Sequence, residues 1–151
     1  MIVLLSAAFL GGCGDTTEPA GNGQQSAELP RKLAELPENG ETPFHLVVSN
    51  QSFDTDPVRI DVYVDDVRVV TGDFKVEGQH SYHTFDFSTA PGTHHVRAVT
   101  VDGIEIEEDV VLTEETWGIL MFWHYATAQG GAEVTPKSLS WSTRDSQPMW
   151  D

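Results

Sequence analysis

Residues Val58–Val64, which read VRIDVYV, decide the fold of this chain. Val or Ile occupies every even-numbered position, and the positions between them are polar or amphipathic. Strict alternation of this kind predicts a β-strand with one buried face. Asp65-Asp66 follows, and a second apolar run opens at Val67. Because two residues that tolerate positive φ make a tight hairpin turn, we expect the second strand to return antiparallel to the first.

Short apolar runs separated by turn residues continue along the chain after Pro43. They are rich in Val, Ile, Phe and Thr and recur about every ten residues, a spacing typical of a β-sandwich. The other predicted strands are Val67–Thr71, a shorter one with Phe74 and Val76, Ser81–Phe87, His94–Val101, Ile104–Leu112, Trp117–Tyr125 and Leu139–Ser142. The sequence therefore predicts one all-β domain over residues 43–151, an antiparallel sandwich of about seven to nine strands.

One hairpin in this domain carries a weak family signal. Residues Pro91–Ala98 read PGTHHVRA, which resembles the Pro-Gly-x-His-x-Val hairpin of PEGA-like and other immunoglobulin-like bacterial surface modules. The resemblance implies an immunoglobulin-like sandwich. It covers only this hairpin, so it bears on topology and implies no activity.

The start of the chain is a separate region. Residues Ile2–Leu10 are apolar except for Ser6, and as a helix they would cover about half of a ~30 Å hydrocarbon core, the length of a signal-peptide h-region rather than of a membrane span. Leu10-Gly11-Gly12-Cys13 resembles the lipobox of bacterial lipoproteins. The resemblance implies a signal peptide over residues 1–12, cleavage before Cys13, and acylation of Cys13 with chains such as palmitate. The alternative is a buried N-terminal strand with a free core cysteine.

Residues 13–42 are predicted to be the lipidated cysteine followed by a flexible linker. Gly, Pro, Gln, Glu and Thr dominate this stretch, which cannot bury enough apolar area to offset the entropy of ordering it. In lipoproteins of cells with two membranes, an aspartate after the cysteine favours the inner membrane. Gly14 stands there in this chain, so the resemblance implies an extracytoplasmic protein anchored to the outer membrane or the cell surface.

The charge of the chain limits its partners. The sequence has 24 acidic residues against 8 basic ones and a formal net charge of -16. Such a field repels nucleic-acid phosphates and anionic lipid head groups, so we expect no nucleic-acid partner. Acidity of this kind keeps an exposed protein soluble, and the alternative is that it serves a cationic partner or Ca²⁺.

No cofactor or catalytic site is expected from the sequence. His94 and His95 are strand neighbours that point to opposite faces, and His80 and His83 differ in parity, so these histidines do not converge on a transition metal. The acidic clusters at residues 54–56, 65–66 and 105–109 offer oxygens to Ca²⁺ but lack the spacing of an EF-hand. A Gly-x-Ser-x-Gly elbow and a phosphate-binding glycine loop are both absent from the sequence.

Aromatic residues crowd the last third of the domain and supply the only ligand-binding candidates. Most of them suit a sandwich core, but Trp123, Tyr125 or Trp141 could instead form an exposed platform. The sequence therefore predicts a noncatalytic, lipid-anchored envelope protein that binds an envelope protein or polysaccharide, or supports the envelope. The alternative is a carbohydrate-binding module that uses these three aromatic residues.

Overall fold

The computed structural model describes residues 27–36, 40–78, 81–126 and 134–149. The predicted signal peptide, Cys13 and His80 lie outside these ranges. Within them, no helix is long and apolar enough to cross a membrane. The strands in chain order are β1 Arg31–Lys32, β2 Thr42–Asn50, β3 Val58–Val64, β4 Val67–Phe74, β5 His83–Thr89, β6 Gly92–Thr100, β7 Glu105–Leu112, β8 Thr116–Tyr125 and β9 Thr135–Arg144.

These strands form two sheets, as predicted for a sandwich. The larger sheet has the order β1-β4-β3-β6-β7, and the smaller has the order β5-β2-β8-β9. All pairs are antiparallel except β2 with β8, which run parallel, so the smaller sheet is mixed rather than purely antiparallel. The all-β sandwich is thus confirmed, and its immunoglobulin-like arrangement stays a prediction.

The hairpin of β3 and β4, from which the fold was predicted, forms as expected. The side chains of β3 alternate between buried and half-buried along the whole strand. Asp65 and Asp66 both adopt positive φ, 49° and 65°, and turn the chain into β4. One difference is that β4 continues to Phe74, where the sequence predicted a break after Thr71. Gly72, at φ 152°, lies within the strand at the position of the expected break.

The core lies between the two sheets and is built from their inward-facing side chains. Its largest members, Phe44, Phe74 and Phe122, have no exposed surface. Burying one such side chain contributes about 1.5–3 kcal/mol. In β5, Phe85 and Phe87 are both buried in this cluster.

A short segment ahead of the sandwich belongs to the fold. Residues 28–36, which we call the strap, run along the edge of β4, and β1 is their paired part. Leu36 is 2% exposed and joins the main core cluster. The composition of residues 13–42 predicted a flexible linker, but an average over that stretch does not reveal these few residues, which are ordered by their contacts with the sandwich.

Candidate functional site

The smaller sheet has an apolar outer face as well as an inner one. Val47, Trp117 and Ile119 form a second buried cluster, separate from the core between the sheets, and Met121 packs against it. Residues of opposite parity on β8, such as Leu120, belong to the main core. Since strand side chains alternate, the second cluster lies on the face that points away from the core.

A row of hydroxyl groups lies beside this apolar row. Trp123 continues the outward parity of β8, and its indole Nε1 donates a hydrogen bond of 3.0 Å to the Oγ of Ser140. The register of β8 and β9 places three serines opposite three outward residues. The facing pairs are Ile119 with Ser142, Met121 with Ser140 and Trp123 with Ser138. The result is a strip in which the half-buried indole of Trp123 stands beside the exposed residues Ser140 and Ser142 and the half-buried Ser138.

The three predicted platform residues do not share this face. Trp141 faces inward: its ring packs against the main core, and a Cβ added at Gly118 would lie 2.5 Å from its Cη2 atom. Tyr125 lies beyond a register shift in the β8–β9 ladder, and its hydroxyl donates a 3.0 Å hydrogen bond to the carbonyl of Gln51. All three rings are half-buried. Only Trp123 stands on the outer face beside the serine row.

At the other end of β8 lies a histidine that the sequence did not single out. The ring of His45 stacks on Trp117, with centroids 4.1 Å apart and an interplanar angle of 21°. Its Nδ1 is 2.6 Å from Asp86 Oδ1, and its Nε2 is 3.4 Å from Glu115 Oε1. The cluster joins β2, β5 and the start of β8. No sequence signal could have found it, because the carboxylates come from segments 41 and 70 residues away, a separation that only the fold closes.

His94 and His95 point to opposite faces, as predicted. His94 is buried, with its Nδ1 2.7 Å from Asp65 Oδ2 and its Nε2 3.0 Å from the carbonyl of Ala90. Asp65 also accepts a 2.9 Å hydrogen bond from the backbone N–H of His95. This group fastens the β3–β4 turn to β6 and is structural.

On the outer face of the larger sheet, basic side chains are matched to acidic ones. Arg59 donates to Glu28 at 2.7 Å and lies 3.7 Å from Asp73. The hydrogen bond from Arg59, supported by one from Arg31, lowers the pKa of Glu28. Arg97 lies 4.2 Å from the centroid of the Tyr63 ring and donates to Glu105, whose hydrogen bond raises the pKa of the guanidinium. These contacts are exposed or only partly buried, so solvent screens them and weakens each one.

Three of the carboxylates that could have supplied Ca²⁺ ligands already make hydrogen bonds within the protein. Asp54 Oδ2 accepts a 2.8 Å hydrogen bond from the N–H of Ala126, and Asp56 Oδ1 accepts one of 3.0 Å from Val76. Asp65 is hydrogen-bonded to the ring of His94 and to the backbone N–H of His95, both on β6. Among the described residues, no group of three or more His, Cys, Asp or Glu side chains is placed to hold a metal ion.

Comparison with known proteins gives no family for this chain. No family model, no curated protein and no solved structure matches it. Function must therefore be inferred from the chain's own residues. The clusters around His94 and Arg59 connect strands, whereas Trp123 presents one half-buried indole beside the hydroxyls of the serine row. The outer face of β8 and β9 is the best candidate for a binding surface.

The pKa of His95 should lie above the ordinary histidine value and should fall towards it in an Asp109→Asn variant. The 2.9 Å contact with Asp109 stabilises the imidazolium and raises this pKa. A raised folded-state pKa stabilises the fold below the unfolded-state pKa, and that contribution is lost as pH rises through the folded-state value. NMR titration of the ring protons measures the pKa directly.

Glu107→Gln is the matched control for this titration, because Glu107 acts on His95 only through space and more weakly than Asp109. We expect it to lower the pKa of His95 less than Asp109→Asn does. Identical titration curves for His95 in the wild-type protein and in Asp109→Asn would contradict the assignment.

Proposed function

We propose that this chain is a noncatalytic, lipid-anchored protein of the bacterial cell envelope whose β-sandwich binds a partner. One observation carries the proposal. The chain's single cysteine, Cys13, follows an apolar run and two small residues, as the acylated cysteine of a lipoprotein does. Two or three acyl chains on one residue hold a protein to a membrane far more firmly than one chain does.

The arrangement of the rest of the chain suits this role. The composition of residues 14–27 predicts a flexible tether with a root-mean-square reach of about 20 Å. The net charge of -16 repels anionic lipid head groups, which favours a domain held clear of the membrane. The domain then exposes its outer faces to other molecules of the envelope.

Metabolic labelling with a clickable palmitate analogue tests the anchor in a bacterial host that processes lipoproteins. We expect label on the wild-type protein and none on Cys13→Ala, because the cysteine thiol is the acceptor of the acyl group. Gly12→Ala is the matched control: it keeps a small residue before the cysteine and should retain the label. Equal labelling of the wild-type protein and Cys13→Ala would refute the anchor.

A carbohydrate-binding module is the second candidate, favoured by the strip on the outer face of β8 and β9. An indole ring stacks on the C–H face of a sugar, and neighbouring hydroxyls exchange hydrogen bonds with the sugar's own. The bond from Trp123 to Ser140 fixes the orientation of the indole, and Ser138 and Ser142 extend the hydroxyl row along β9. Trp141 would contribute to binding indirectly, by supporting β9 from the inner face. Tyr125 would contribute from the far end of β8.

Co-sedimentation of the purified protein with insoluble envelope polysaccharide tests this second candidate. Trp123→Ala should weaken binding about tenfold, because it removes the stacking ring. Tyr63→Ala is the matched control, since it removes an aromatic ring from the outer face of the other sheet and should leave binding unchanged. Wild-type protein that stays in the supernatant, or full binding by Trp123→Ala, would remove this candidate and leave the lipid anchor untouched.

A further inference from the structure

We propose that the strap is a releasable connector: tension on the tether detaches it from the sandwich before the sandwich unfolds, and thereby lengthens the tether. The inference rests on the proposed function in one respect, because sustained tension arises only if the chain is anchored through Cys13. The detachment itself depends only on contacts within the described residues.

The tether side of the strap is held at the edge of β4 by polar contacts. The N–H of Glu28 donates to Asp73 Oδ2 at 2.6 Å, and the N–H of Asp73 donates to the carbonyl of Glu28 at 2.7 Å. The carboxylate of Glu28 also accepts hydrogen bonds from Arg59 and Arg31 at 2.7 and 2.6 Å. These groups are partly exposed, so water competes with each contact and weakens it.

The middle of the strap crosses from one sheet to the other. Arg31 and Lys32 pair with β4, and the N–H of Leu33 donates to the carbonyl of Val69 at 2.7 Å. The Nζ of Lys32 reaches β5 of the smaller sheet, where it donates to the carbonyl of Asp86 at 2.6 Å. The same ammonium lies 4.5 Å from the centroid of the Phe87 ring. The strap therefore spans the side of the sandwich between β4, which β1 covers, and β5, an edge strand of the smaller sheet.

Two features give the strap a defined seat there. Gly72 lets the chain approach closely, because a Cβ at that position would collide with the backbone of Pro30. Leu36, at the far end from the tether, is buried in the main core and is the apolar anchor of the segment. The strap is thus held by polar, partly exposed contacts at Glu28, where tension is applied, and by burial of the Leu36 side chain at its other end.

The direction of pull decides which part opens first. β1 pairs with β4 alone, so a pull at Glu28 breaks the strap's contacts one after another. β2, the next strand, pairs with β5 over seven positions and with β8 over seven, on both of its edges. Sequential opening of a singly paired edge needs less force than disruption of a doubly paired strand, and such subglobal opening is the general behaviour of weakly packed segments.

Release would change the reach of the tether by a defined amount. The strap contains nine residues, from Glu28 to Leu36. At about 3.3–3.6 Å per extended residue they add roughly 30 Å of chain. A partner bound to the sandwich could then stay bound while the membrane and the partner move apart by up to that distance.

Optical-tweezers unfolding of the full, non-acylated chain tests the proposal. One handle is attached to the thiol of Cys13, the only cysteine in the sequence, and the other to the C-terminus. We expect two transitions: a low-force extension of about 30 Å or less, followed by a larger one for the sandwich. A single transition in which strap and sandwich open together would overturn the proposal.

The Leu36→Ala variant tests whether the first transition is the detachment of the strap. Losing a buried leucine side chain costs about 2–5 kcal/mol, so at fixed force the open strap should gain at least about thirtyfold over the closed one. The second transition shows in the same trace that the sandwich is folded. Leu29→Ala is the matched control, because Leu29 is 77% exposed, and it should leave the first transition unchanged. An unchanged first transition in Leu36→Ala would also overturn the proposal.

Because the measurement needs no membrane, its failure is distinguishable from failure of the lipid anchor. A chain that is labelled at Cys13 but opens in one step is an anchored protein with a fixed strap. A chain that opens in two steps without labelling has the connector but lacks the anchor that would load it.

Discussion

The fold depends on β2, a strand that is paired along both of its edges. It lies antiparallel to β5 and parallel to β8, and its inward residues Phe44, Leu46 and Val48 belong to the core between the sheets. Parallel partners cannot be joined by a tight turn, so the chain must pass through β3 to β7 before β8 can take its place. The sandwich is therefore held together mainly by contacts between segments far apart in sequence.

The same pairing determines where the smaller sheet is open to solvent. β2 pairs with β8 as far as Phe122, opposite Asn50, and Trp123 is the first residue past that point. Trp117, whose strand neighbour is His45, is 8% exposed and stacked on that histidine. Trp123 lacks such a neighbour on the β2 side and has Ser138 on the other. Its indole is consequently the ring on this face best placed to meet a ligand.

Local pattern predicted the parts of this structure that local chemistry controls. The alternation of β3 and the positive φ angles at Asp65-Asp66 need no distant partner, and both are present as expected. The strap was not predicted, because its order comes from the core site of Leu36 and from the pairing of Glu28 with Arg59. The side of the sheet on which Trp141 lies could not be predicted either, since the register between β8 and β9 is a tertiary property. Sequence thus predicted the sandwich but left its binding surface undefined.

Residue-resolved amide hydrogen exchange tests the central role of β2 most directly. If β2 is the strand that the rest depends on, the amides of Leu46 and Val48 should exchange only when the whole domain unfolds. Their exchange free energies should then equal the free energy of unfolding measured by denaturant. Amides of β1 and of the edge strand β9 should exchange faster, through local opening. Exchange in β2 as fast as in those edge strands would contradict the account.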